Sequence, residues 1–110
     1  MNKMSLLLAG VMTLSGAFVA SAKSYNISLD NPSQAGSTLL PAGDYNVKIQ
    51  GSDAVFQAAN SNKRFTAPVK IENDSRKHQA TAVELTKQNG TDRIQAIELK
   101  GSTETLKFNN

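Results

Sequence analysis

The sequence predicts an all-β domain, a small antiparallel sandwich or closed barrel of seven to eight short strands. Three observations predict it. Apolar and polar residues alternate through most of the chain beyond Lys23, which is the period of half-buried strands. Turn residues interrupt that alternation about every eight to twelve positions, the rhythm of hairpin connections. No stripe of apolar residues at helical spacing runs through the same stretch.

Taken in order, residues 1–22 (MNKMSLLLAGVMTLSGAFVASA) read as an export signal. Lys3 gives a basic start, Leu6 to Val19 carries no charge, and Ala20-Ser21-Ala22 supplies the small residues a signal peptidase needs. A membrane span needs roughly 20 consecutive apolar residues, and Thr13, Ser15 and Gly16 interrupt this core. Cleavage after Ala22 is therefore expected. It leaves one β domain over residues 23–110, periplasmic or secreted, with no transmembrane segment.

Tyr25, Ile27 and Leu29 alternate with Ser24, Asn26 and Ser28 as a first strand, and residues 30–36 (DNPSQAG) form a loop. Ser37 to Leu40 is a short second strand, closed by the turn Pro41-Ala42-Gly43, where proline presets φ and glycine completes the reversal. Tyr45, Val47 and Ile49 make the strongest alternation in the chain. Gly51-Ser52-Asp53 turns it and Ala54 to Ala59 returns, before a second turn at Asn60 to Lys63. Phe65, Ala67, Val69 and Ile71 share one face of the next strand. Pro68 on the other face removes a ladder donor, so this strand is expected at an edge or with a bulge. Residues 73–79 (NDSRKHQ) are polar loop. Thr81, Val83 and Leu85 line one face of a strand that ends at Asn89-Gly90, a strong hairpin signal. Arg93 to Lys100 and Leu106 to Phe108, parted by Gly101-Ser102, complete the set. A transmembrane barrel is excluded, because spanning strands need about 9–11 residues and these are shorter.

Composition removes several chemistries. There is no cysteine, hence no disulfide, thiol nucleophile or thiolate metal site. The net charge of +3 includes Lys3 of the export signal, so the domain is only slightly basic and no nucleic acid partner is expected. Lys63-Arg64 and Arg76-Lys77 look like halves of a basic patch. They fall at opposite ends of one strand, roughly 20 Å apart at about 3.3 Å per residue. The five aromatics beyond the signal (Tyr25, Tyr45, Phe56, Phe65 and Phe108) all fall on the presumed inner faces.

His78 is the only histidine, flanked by Arg76, Lys77 and Gln79. Neighbouring cations disfavour its protonation and metal binding, so it reads as a solvated loop residue, and no metal or cofactor is expected. Glu84 and Glu98 are cross-strand candidates in the hairpin turned at Asn89-Gly90, and lysine pairing on a wet sheet face accounts for them. Asn73-Asp74-Ser75 and Asp92 lack the spacing of a calcium loop. The glycines are scattered singly and cradle no phosphate. No catalytic residue is expected.

The segment Leu39 to Ile49 (LLPAGDYNVKI) resembles a hairpin of the prealbumin-like, carboxypeptidase regulatory-like β-sandwich modules. The whole chain more closely resembles small exported β proteins of environmental bacteria without assigned function. The similarity lies in the signal with LPAGDYNV, in Phe65–Asn73 (FTAPVKIEN), and in Arg93–Phe108 (RIQAIELKGSTETLKF). What the resemblance implies is a fold, since Pro41 and Gly43 build a turn while Tyr45 and Val47 fill a core. Some modules of the sandwich class also join a first-strand lysine to a last-strand asparagine beside a buried carboxylate. Lys23, Asn109 and Glu72 would take those places here, but a carboxylate bordering a polar loop cannot shuttle the proton.

The expected function is that of an exported, non-catalytic binding or structural domain of the cell envelope or secretome. Its partner is an unknown envelope or extracellular molecule. The alternatives are a carbohydrate- or peptide-binding module, and a surface protein that self-associates through an edge strand, beside Pro68 or along the first strand.

Overall fold

A computed structural model describes residues 23–109; the export signal expected over residues 1–22 lies outside the described residues. Among the described residues nine strands account for the fold: β1 (Ser24–Leu29), β2 (Ser33–Ala35), β3 (Thr38–Leu40), β4 (Gly43–Gln50), β5 (Asp53–Ala58), β6 (Arg64–Asn73), β7 (Ala82–Gln88), β8 (Thr91–Glu98) and β9 (Glu104–Phe108). The described residues contain no helix, so none is long and apolar enough to cross a membrane. The protein is all-β, as its alternation requires.

The strands follow the order β1-β4-β5-β6-β9-β8-β2-β3, with β7 on the other side of β8. β6 holds the two halves together by changing partner along its length. Its residues 64–68 pair with β5 and its residues 69–73 with β9. Pro68 sits at the changeover: it is the last residue opposite β5, and the Val69 amide reaches the Ser52 carbonyl at 2.9 Å. The strand is therefore neither an edge nor bulged there. Proline is tolerated because the ladder ends at that point.

The two halves enclose one core. Ile27, Leu29, Tyr45, Val47, Ala54, Phe56 and Ala67 come from one side, and Ala35, Leu40, Ile94, Ile97, Leu99, Leu106 and Phe108 from the other. The Phe56 ring lies 6.3 Å from Tyr45 edge-on and 6.0 Å from Phe108, distances at which aromatic pairs attract beyond their area burial. The Tyr45 hydroxyl donates back to the Pro41 carbonyl four residues upstream, so a residue whose ring fills the core also ties down the turn before it.

Local chemistry explains the turns. Asn89 and Gly90 both take positive φ, 54° and 79°, the pair of left-handed residues that a two-residue hairpin of matching twist demands. Two features were not visible in the alternation. The first is β2, which lies within the expected loop 30–36 and pairs in parallel with β8 at Asp92 and Arg93. The second is a register step between Glu84 and Leu85, which leaves Gln95 without an opposite residue. That bulge rephases β8, so Ile94 and Ile97 both reach the core.

Candidate functional site

His78 is not a solvated loop histidine. Its side chain is 12% exposed, with Nε2 3.0 Å from Asp74 Oδ2 and Nδ1 3.8 Å from Glu98 Oε1. The Thr105 hydroxyl donates to the same Asp74 oxygen at 2.7 Å and lies 3.2 Å from Nε2. Backbone bonds fix the ring's position: the His78 amide donates to Ser102 O at 2.9 Å, and the Gly101 amide to His78 O at 2.8 Å. Sequence reasoning weighed only the cations beside His78. Its real neighbours are carboxylates, two of the three partners lying 20 or more residues away. The one available signal was Asp74, four residues upstream.

The members of this cluster differ in exposure, from Thr105, which is buried, to Asp74, which is 45% exposed. Thr105 is 3% exposed, so its hydroxyl is not open to attack anything. The two carboxylates address opposite nitrogens of the ring and cannot converge with it on one ion. Among the described residues no group of three His, Cys, Asp or Glu side chains is arranged to hold a metal. What the cluster does is pin segment 74–81 against the turn between β8 and β9. The Asp74 amide bonds Thr103 O at 2.7 Å, and the Lys100 amide bonds Thr81 Oγ1 at 3.2 Å.

The remaining acidic candidates disperse. Glu84 stands opposite Ala96, and Glu98 opposite Ala82, so the two are not a cross-strand pair. Asp92 is buried, held by Lys87 at 3.4 Å and the Asn31 amide at 3.4 Å. Lys63-Arg64 and Arg76-Lys77 flank opposite ends of β6. Lys23 borders the hollow that holds Glu104 at the start of β9, whereas Asn109 follows the other end of that strand. Glu72 is exposed on β6. The three residues of the isopeptide arrangement are thus not brought together.

The pinned segment has a second consequence. Ala80, Thr81 and Lys100 form one wall of an open cleft of about 740 Å³, and Lys23 to Asn26 form the other. That second wall is the outer edge of β1. β1 pairs with β4 through six consecutive residues and has no strand on its other side among the described residues. It carries no charge, no proline and no register step, which are the devices that normally block an edge.

No family model, curated protein or solved structure matches the chain. The aromatics bear on what the cleft can recognise. Tyr45, Phe56 and Phe108 are buried, while Tyr25 and Phe65 are partly buried against the same core. Burial, then the nearby Glu104 carboxylate, pushes the Tyr25 phenol above its ordinary pKa.

Proposed function

We propose that this protein is an exported, non-catalytic binding domain of the cell envelope or secretome, and that it receives an extended polypeptide along β1. The open, uncharged edge of β1 beside a cleft carries this reading, since a strand edge offers main-chain hydrogen bonds to any extended chain. Sugar recognition by stacking needs exposed rings; Tyr45, Phe56 and Phe108 are buried and Tyr25, the ring at the cleft, is partly buried against the core, which favours the peptide alternative over the carbohydrate one. The signal-like residues 1–22 support a periplasmic or secreted location.

Intact-mass measurement on the protein recovered from its own host's envelope and medium tests the export half. The expected species begins at Lys23. A chain that keeps residues 1–22 and stays in the cytosolic fraction would overturn it. The edge is tested by the exchange experiment that follows.

A further inference from the structure

We propose that the cleft beside β1 selects an acidic peptide, bound as an added strand; this rests on the binding-domain reading and names its ligand class. The main chain supplies affinity. One edge of β1 is used by β4, so the alternate N–H and C=O groups on the other edge face the cleft. An incoming strand would lie about 4.8 Å from β1, between it and the wall of Ala80, Thr81 and Lys100.

Charge supplies the selection. Lys23 and Lys100 stand on opposite walls, both exposed, and neither is ion-paired among the described residues. Among the described residues no carboxylate lines the cleft. The nearest, Glu104, borders an adjoining hollow that it shares with Lys23 and Tyr25. A glutamate or aspartate side chain leaning from the added strand toward either wall would meet an unpaired ammonium group. A second copy of the chain meets this condition less well. Its own β1 is free of carboxylates, the first being Asp30 beyond the strand's end. The His78 cluster joins the same device from behind, because it holds the segment that presents Thr81 and Lys100.

The test uses the protein expressed from its full chain, labelled for amide spectroscopy, and a blocked peptide alternating valine with glutamate. Two control peptides accompany it, one with lysine in place of glutamate and one N-methylated at alternate amides. The expected result is slowed amide exchange within Ser24–Leu29 on adding the glutamate peptide, about tenfold weaker binding of the lysine peptide, and none of the N-methylated one. The double variant Lys23→Glu with Lys100→Glu should reverse the preference. Both positions are exposed, so an unchanged spectrum elsewhere confirms that the variant is folded.

Equal binding of the glutamate and lysine peptides would overturn the acidic selection. Protection of β1 that rises with protein concentration alone, with no response to peptide, would make a second copy the occupant. That outcome sinks the peptide ligand and leaves the open-edge reading standing. No protection of β1 under any condition sinks both.

Discussion

β1 and β7 are both edge strands, and they are built in opposite ways. β1 turns Ile27 and Leu29 fully into the core and Tyr25 partly so, while its outer edge is uncharged and regular. β7 leaves Leu85 44% exposed and buries none of its seven residues. Its edge carries Glu84 and Lys87 and lies beside a register step. Charges and bulges keep an edge from pairing, so β7 is guarded and β1 is not. A third edge, β3, is met by β6, where the Thr38 hydroxyl donates to Thr66 O at 2.9 Å. The lesson is that an edge can be firmly anchored by its side chains and still offer its backbone. Such an edge presents its backbone without local unfolding, which is what the proposed receiving strand requires.

The comparison breaks most readily at the core. Leu29→Ala in β1 should cost about 2–5 kcal/mol, against less than about 1 kcal/mol for Leu85→Ala in β7. Urea denaturation of the two variants checks this, and equal losses would mean that β7 is as deeply anchored as β1.

A smaller effect belongs to the wall facing β1. His78→Ala removes the group between Asp74 and Glu98 and should cost about 1 kcal/mol. Amide exchange should quicken across residues 74–81 while β1 keeps its native rate. Exchange that quickens equally throughout the sheet would show that His78 has no local role in holding the wall.

Tyr45 sharpens the same contrast through pH. Burial pushes its phenol above the ordinary value of about 10. The charged form is the one disfavoured by folding. Stability linked to this group is therefore complete below the unfolded-state value and lost as pH rises through the higher folded value. Tyr45→Phe should cost about 1 kcal/mol at neutral pH through the lost bond to Pro41, and should flatten the alkaline decline. Urea midpoints measured from neutral pH to about pH 12 decide it; an unchanged alkaline slope would mean that the decline belongs to other groups, Tyr25 first among them.

The smallest change in stability comes from unguarding β7. Glu84→Val alters an exposed residue and should shift stability by no more than about 0.5 kcal/mol. Its effect should appear instead as concentration-dependent association in sedimentation, absent from the parent chain. A variant that stays monomeric would show that Lys87 and the bulge guard the edge without help from Glu84.

Much of this fold is legible in the sequence. Alternation through Tyr25–Leu29 and Tyr45–Ile49, the Pro41–Gly43 turn and the Asn89-Gly90 hairpin all depend on neighbours within a few residues. Those elements therefore stand where the sequence puts them, with boundaries moved by one to three positions. β2 was hidden, because Ser33, Gln34 and Ala35 carry little pattern; its hairpin partner β3 is only three residues long, and its other partner strand begins at Thr91. Pro68 suggested an edge because proline signals only a missing donor, not where a ladder stops.

The candidate site was far less legible. The apolar and polar periods of the chain determined that it is all-β, where most strands lie, and which aromatics fill the core, since each follows from which side of a pleat must leave water. Tertiary structure decided that β6 joins the two halves, that His78 lies between Asp74 and Glu98, and that β1 rather than β7 is left open. Those outcomes depend on which distant strand occupies each edge, and a period of two residues marks the faces of a strand but leaves its edges unmarked.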